Sequence, residues 1–268
     1  MKETFPKLCG SIAGDASELG VKMHNAGYEA KNLDYTYIAM GSEDIEETLK
    51  TVKNMNFRGL GVSMPFKESI IEHLDEIGED VETIGACNTV VFENGKTIGH
   101  NTDWRGAIRA LKETGSLDEV ERAEIIGAGG VARAIAYGLK QEDIKVSVSA
   151  RSDSQREELV EDLNLENQTN LDGQGKFGAE LVVNATPVAE QPNSPVELGK
   201  HSEGEWLLDV VFGQPETDII EAADERDWKA TKGWRMLLHQ GLEQFELYTG
   251  EDGPEEAMGN VLENTLGS

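Results

Sequence analysis

The segment GAGGVARA, residues 127–134, constrains the fold more than any other stretch of the sequence. It follows the apolar run AEII directly and opens a helical pattern, which fits the G-x-G-x-x-A turn between a strand and a helix. In such a turn Gly127 permits the tight bend, Gly129 lets a pyrophosphate approach the backbone, and Ala132 keeps helix and strand close. A glycine turn made only for close packing is the alternative. The predicted dinucleotide-binding residues of this turn are Gly127, Ala128, Gly129, Gly130 and Val131.

Strand patterns on both sides of this turn predict the fold class. KVSVSARS, AELVVNATP and EWLLDVVF follow the turn as further strands, a Rossmann-like series. Before the turn, strands alternate with helices, Asn94-Gly95 indicates a hairpin, and a helix is predicted from Lys67 onward. We predict an α/β protein of two domains. A discontinuous α/β substrate domain takes residues 1–104 and 238–268, and a Rossmann-like dinucleotide-binding domain takes residues 105–237.

The acidic composition limits the partners of the chain. With 51 acidic and 24 basic residues the net charge is −27, so nucleic acid and anionic membranes are disfavoured. The surface suits high salt, or simply an acidic protein at ordinary salt. We find no apolar run long enough to span a membrane and no signal peptide, and we therefore expect a cytoplasmic protein. A monomer and a homodimer are equally compatible with the sequence. The two cysteines form no metal or redox pair and the five histidines show no metal spacing, so no metal site is predicted.

The end of the strand after the glycine turn indicates which dinucleotide binds. Folds that prefer NAD usually carry Asp or Glu there, whereas this chain has Arg151 and Ser152. A guanidinium pairs well with the 2′-phosphate of NADP, although Asp153 lies close enough to repel it. We therefore predict NADP as the cofactor, with NAD as the alternative.

Three polar residues at element ends could meet in one cleft of the first domain. Lys67 follows an apolar strand and a proline, Asn88 begins a strand, and Asp103 opens a helix. In a hydride-transfer site a lysine serves as the acid or base for the hydroxyl proton, and an aspartate orients it. Ser63 and Thr102 would join Asn88 in binding substrate hydroxyls. A solvated lysine and an N-capping aspartate explain the spacing equally well.

Taken together, these motifs resemble one family. VSMPFK, GACNTV, NTD, GAGGVARA, VVNAT, DVVF and GWRMLLHQ occur in the order of the shikimate dehydrogenase family, closest to its shikimate dehydrogenase-like branch. The resemblance implies reversible, NADP-dependent oxidation of shikimate to 3-dehydroshikimate. It implies that Lys67 and Asp103 are the catalytic pair and that Gln240 joins Ser63, Asn88 and Thr102 around the substrate. It also implies further cofactor contacts at Asn184, Ala185, Thr186, Val211 and Gly233.

The chain departs from the family at the N-terminal substrate loop. Glu18 and Gly20 occupy the positions of two serines that bind the substrate carboxylate, and Ser17 or Ser11 would have to replace them. A related cyclic polyhydroxy acid, such as quinate or an amino analogue, used with NAD, is therefore an alternative substrate. A non-catalytic dinucleotide-binding sensor of a metabolite is a further alternative.

Overall fold

The computed structural model describes residues 6–14, 18–165, 167–168, 178–187, 202–213 and 217–266. These residues form two compact units. The first unit takes its residues from Met1–Thr102 and Gln240–Gly267, and the second from Asp103–His239. The first unit is thus built from two separate stretches of the chain, and the second from one.

The first unit is an α/β layer around a mixed sheet. In chain order its first nine elements are β1 (Lys7–Ala13), α1 (Glu18–Ala30), β2 (Tyr35–Gly41), α2 (Ile45–Asn54), β3 (Phe57–Val62), β4 (Glu76–Ile77), α3 (Glu79–Ile84), β5 (Thr89–Glu93) and β6 (Lys96–His100). The strand order is β2-β1-β3-β5-β6-β4, with β1 parallel to β2 and β3 and with β5 antiparallel to β3 and β6. The predicted Asn94-Gly95 hairpin joins β5 to β6 and is confirmed.

The helix predicted from Lys67 is wrong. Residues 64–70 form turns, and only the short 3₁₀ segment Ile71–His73 follows. The Lys67 carbonyl, which a helix would pair four residues ahead, instead accepts a hydrogen bond from the Cys87 N–H at 2.7 Å. A tertiary contact therefore replaces the helical bond at this position, and local apolar spacing did not reveal it.

The second unit is a doubly wound parallel sheet, which confirms the predicted fold class. Its elements are α4 (Asp103–Thr114), β7 (Arg122–Ile126), α5 (Gly130–Gln141), β8 (Lys145–Ser149), α6 (Asp153–Asp162), β9 (Asn167–Gln168), β10 (Ala179–Asn184), β11 (Ser202–Asp209), α7 (Asp218–Asp224) and β12 (Lys229–Lys232). The strand order β12-β11-β10-β7-β8-β9 runs outward from β7 in both directions. Ligands of such sheets bind beyond the carboxyl ends of the strands where the order reverses, here β7 and β10.

Two helices complete the chain, α8 (Gly233–Thr249) and α9 (Glu255–Leu266). Within the second unit, Glu113 of α4 holds the beginning of α8. The Glu113 carboxylate accepts a hydrogen bond from Arg235 Nε at 2.8 Å and lies 2.9 Å from His239 Nε2. Burial alone would raise the pKa of Glu113, but the contacts with Arg235 and His239 outweigh it and lower the pKa. This ion pair fixes the helix turn that precedes Gln240.

A buried histidine makes the stability of the first unit depend on pH. His24 of α1 is 1% exposed and its ring stacks on Tyr37 with centroids 4.3 Å apart. Burial lowers the pKa of His24 to about 4, from the ordinary value of 6.5. As pH falls, the unfolded chain therefore binds this proton before the folded chain does, and stability is lost below about pH 6.5.

We expect His24 to reduce the free energy of unfolding by about 2 kcal/mol between pH 7 and pH 5. Urea unfolding of the wild type and of His24→Phe, which keeps a ring against Tyr37, measures this contribution at each pH. The difference between the two proteins should change by that amount over the interval. A difference that stays constant with pH would show that His24 does not titrate as its burial requires.

Candidate active site

The turn after β3 presents the predicted Ser63 and Lys67. Strand β3 is held on both sides at its carboxyl end: the Ser63 N–H donates to the Ile12 carbonyl at 2.9 Å, and the Val62 N–H donates to the Asn88 carbonyl at 2.7 Å. Ser63 is exposed and Lys67 is half-buried. The backbone of Lys67 is fixed by Cys87, so its side chain starts from a rigid position.

Asn88 lies at the centre of a buried hydrogen-bond network in the same unit. Its Oδ1 accepts from the Thr102 N–H at 2.7 Å and from the Thr89 hydroxyl at 2.8 Å. Its Nδ2 donates to Thr102 Oγ1 at 2.9 Å and to Gln240 Oε1 at 3.2 Å. The structure therefore brings three of the predicted substrate residues, Asn88, Thr102 and Gln240, into direct contact.

Three further residues that the sequence singled out are Asp103, Ser17 and Glu18. Asp103 is the first residue of α4 and of the second unit, and it is 1% exposed. Ser17 lies outside the described residues. Glu18, at one of the positions that the family gives to serine, is exposed at the start of α1 and pairs with Lys22 at 3.1 Å.

The glycine turn of the second unit has the geometry that the sequence predicts. Gly127 has φ +123°, and a Cβ at this residue would lie 2.8 Å from the Ala185 carbonyl oxygen, so only glycine fits. Gly129 has no neighbouring atom within 4 Å of such a position, and its side of the turn is open. Helix α5 begins at Gly130 without a side-chain cap, which leaves N–H donors of its first turn for an anion.

A second polar network orders the carboxyl ends of β10 and β11. Asn184 Nδ2 donates to Asp209 Oδ1 at 2.9 Å, and Asn184 Oδ1 accepts from the Thr186 hydroxyl at 2.8 Å. Asp209 also accepts from the Val211 N–H at 3.3 Å and from the Thr217 hydroxyl. Burial raises the pKa of Asp209, against these hydrogen bonds. The network fixes the segments that carry Ala185, Thr186 and Val211.

Gly233, at the start of α8, lies against the end of β11. A Cβ there would lie 2.5 Å from the Val211 carbonyl oxygen. Glycine is therefore required for this close approach of backbone to backbone. The predicted cofactor residues of the three segments thus lie around the carboxyl edge of the second sheet.

At the end of β8, Arg151 is exposed and Ser152 caps helix α6 by accepting from the Gln155 N–H at 3.3 Å. Asp153, which the sequence suggested would repel a phosphate, forms an ion pair with Arg156 at 2.8 Å. The charge of Asp153 is therefore compensated. Arg156 is used in this pair, and Arg151 carries the exposed guanidinium of the segment.

In the described part of the chain, no group of three or more His, Cys, Asp and Glu side chains is placed to hold a metal ion. Within the same residues no helix is both long enough and apolar enough to cross a membrane. Cys9 and Cys87 are buried free thiols.

Comparison with known proteins identifies the family. The family models described as "Shikimate dehydrogenase substrate binding domain" and "Shikimate 5'-dehydrogenase C-terminal domain" match residues 8–90 and 233–263. The shikimate dehydrogenase (NADP(+)) of Desulfitobacterium hafniense is 34% identical over 267 residues, which cover 96% of this chain and 97% of that protein. The chain belongs to the shikimate dehydrogenase family. This is a family of oxidoreductases.

Further relatives and solved structures match the chain over most of its length. A shikimate dehydrogenase (NADP(+)) of Natronomonas pharaonis is 37% identical over 254 residues, covering 91% of this chain and 93% of that protein. The crystal structure of shikimate 5-dehydrogenase from Thermus thermophilus in complex with NADP(H) and shikimate has a TM-score of 0.88 and 30% identity. The superposition covers 97% of this chain and 100% of the Thermus thermophilus chain. A family model described as "NADP oxidoreductase coenzyme F420-dependent" matches residues 122–213 of the second unit.

Sequence reasoning missed three polar residues of this shikimate dehydrogenase family member: Thr89, Asp209 and Gln244. Each is almost completely buried and hydrogen-bonded to a predicted site residue. A buried polar group needs a partner, so an aspartate inside the apolar run EWLLDVVF was a usable signal. Gln244 gave no such signal, because polar residues such as Glu243 and Glu246 lie on both sides of it in the helix.

Proposed function

We propose that this protein catalyses the reversible oxidation of shikimate to 3-dehydroshikimate with NADP⁺. The observation that carries the proposal is the network of Asn88, Thr102 and Gln240 beside the turn that holds Lys67, in a chain of this family. The substrate domain is proposed to span residues 1–104 and 238–268, and the NADP domain residues 105–237.

Lys67 is the proposed acid/base. During oxidation the substrate hydroxyl loses its proton to the neutral amine of Lys67 while the hydride leaves the same carbon. Asp103 is proposed to orient Lys67 and to stabilise its charged form. In the reverse direction the Lys67 ammonium returns the proton to the carbonyl oxygen. The products of oxidation are therefore the ketone, NADPH and one proton.

Ser63, Asn88, Thr102 and Gln240 are proposed to bind the substrate hydroxyl groups. Ser17 is proposed to contribute a hydroxyl to the substrate carboxylate. By the resemblance, Glu18 at the start of α1 stands where the family has a serine, so its carboxylate would repel that of the substrate. This difference motivates the alternative that quinate or an amino analogue is the better substrate.

NADP is proposed to bind on the second unit. Bound NADP⁺ supplies the nicotinamide that accepts the hydride. The open turn at Gly129 and the uncapped start of α5 fit a pyrophosphate, and exposed Arg151 with Ser152 fits a 2′-phosphate. The remaining proposed contacts are Gly127, Ala128, Gly130, Val131, Asn184, Ala185, Thr186, Val211 and Gly233.

Arg151→Ala should raise the KM for NADP⁺ by about 10- to 100-fold, the value of a lost charge-assisted hydrogen bond. The KM for NAD⁺, which lacks the 2′-phosphate, should change little. Steady-state kinetics with both cofactors measures the two effects, and Arg226→Ala, an exposed arginine of the same unit, is the matched control. Equal losses with NADP⁺ and NAD⁺ would refute a 2′-phosphate contact.

The proposed function is tested by nicotinamide absorbance with shikimate and quinate, each with NADP⁺ and NAD⁺, at low and high salt. Turnover is expected with shikimate and NADP⁺. Faster turnover with quinate and NAD⁺ would favour the alternative substrate. Cofactor binding without turnover in any combination would favour the sensor.

We also propose a cytoplasmic protein, monomeric or homodimeric, whose partners are small molecules. The net charge of −27 supports the exclusion of nucleic acid and anionic membranes.

A further inference from the structure

Gln244 lies one helical turn after Gln240 on α8, and its side chain is almost completely buried. Its Nε2 donates to Thr89 Oγ1 at 2.9 Å and lies 3.4 Å from the Asn88 carbonyl oxygen. Gly61 of β3 lies beside this side chain, and a Cβ at Gly61 would be 3.5 Å from Gln244 Nε2. Burying a polar side chain costs free energy, and in such a position its hydrogen bonds must offset that cost.

The hydrogen bonds from Gln244 have a fixed direction. A hydroxyl has one proton, and Thr89 Oγ1 accepts from Gln244, so the Thr89 proton points to Asn88 Oδ1 at 2.8 Å. Asn88 then donates through Nδ2 to Gln240 Oε1, and this leaves Gln240 Nε2 as the donor at the end of the chain. The order of donation is Gln244 to Thr89 to Asn88 to Gln240.

We propose that Gln244 is a positioning residue, which acts through Thr89 to hold Asn88 and Gln240 so that Gln240 presents an N–H donor to a substrate oxygen. The inference rests on the proposed function, because it gives the network its role through substrate binding. Gln244 does not touch the substrate. Substitution of Gln244 should therefore change the KM for shikimate and leave proton transfer by Lys67 unaffected.

Gln244→Glu tests the direction of donation. An ionised carboxylate accepts but does not donate, so it would draw the Thr89 proton to itself and turn a lone pair towards Asn88 Oδ1. A protonated carboxyl donates and restores the native order. The KM for shikimate, divided by that of the wild type, should therefore be raised about tenfold at pH 8 and should return towards one as pH falls. The ratio for Gln244→Leu should be raised at every pH.

His24 hydrogen-bonds with Gln244 and would gain a carboxylate neighbour in Gln244→Glu, so the profile is also measured in the His24→Phe background, with His24→Phe as the reference. Burial holds the pKa of His24 at about 4, raises that of Cys87 to about 11, and raises those of Tyr37 and Tyr248 above their ordinary range. His100, which pairs with Thr89 across β5 and β6, is present in the wild type and in every variant, so the ratio removes its contribution. Glu246→Gln, a charge change on the exposed face of the same helix, should leave the ratio near one at every pH.

A purely structural role for Gln244 would lower the unfolding temperature and leave both KM ratios near one, and that result would overturn the proposal. A raised ratio for Gln244→Glu that does not change with pH would also overturn it. NMR of the Asn88 side-chain amide, assigned through Asn88→Ala, gives a readout without turnover. Its resonances should titrate in Gln244→Glu and not in the wild type. If the wild type does not oxidise shikimate, the proposed function fails. Resonances that titrate in Gln244→Glu would then still support the positioning role, whereas resonances that do not titrate would refute that role as well.

Discussion

Replacing Lys67 by methionine is expected to lower kcat for shikimate oxidation by about 10²- to 10⁴-fold, the contribution of a general acid or base. Methionine nearly keeps the length of the side chain but has no ionisable group that could accept or donate a proton. The affinity for NADPH should be unchanged, because the glycine turn that is proposed to bind it belongs to the other unit. Stopped-flow or steady-state absorbance gives kcat, and fluorescence titration gives the Kd for NADPH.

Lys50→Met makes the same chemical change at an exposed position of α2 and should leave both quantities unaltered. If Lys67→Met kept kcat within about tenfold of the wild type, Lys67 would not be the acid/base. If the protein were a metabolite sensor, Lys67→Met should leave its response to ligand unchanged, since that response does not require proton transfer.

Gly127→Ala is expected to abolish tight NADPH binding and to destabilise the second unit. The residue has φ +123°, and the new Cβ would lie 2.8 Å from a backbone oxygen, that of Ala185. The backbone conformation alone costs about 1–3 kcal/mol in a residue other than glycine, and the contact with Ala185 adds to it. Urea unfolding measures the loss of stability, and NADPH titration measures the loss of binding.

Gly95→Ala separates the two causes. Gly95 also has a positive φ, of +80°, but no atom lies within 4 Å of the position of its Cβ. We therefore expect a smaller loss of stability and unchanged NADPH binding. Equal losses of stability and of NADPH binding in the two variants would show that the close contact with Ala185 is not the reason why residue 127 must be glycine.

The features that the sequence predicted well are those that short stretches determine. The glycine turn, the strands around it and the Asn94-Gly95 hairpin depend on residues within about ten positions of one another. Their chemistry is local, because a positive φ or a helix start is set by the residues that adopt it. The family resemblance also rests on short motifs, and the family is confirmed. The site residues that the resemblance implies stay a prediction.

The features that the sequence did not predict depend on distant partners. Lys67 does not begin a helix because its carbonyl pairs with Cys87, twenty positions away. Gln244 is hydrogen-bonded to Thr89, which lies 155 positions earlier. Such pairings are set by the tertiary fold, and the composition of either partner's segment does not reveal them.

The proposed hydride transfer from shikimate to NADP⁺ is tested most directly by following an isotope from one molecule to the other. Shikimate with deuterium in place of the hydrogen on the oxidised carbon is incubated with the protein and NADP⁺, and the NADPH formed is analysed by mass spectrometry. We expect one deuterium in each NADPH molecule and a slower reaction than with unlabelled shikimate. NADPH without deuterium, or no NADPH at all, would contradict the proposed transfer.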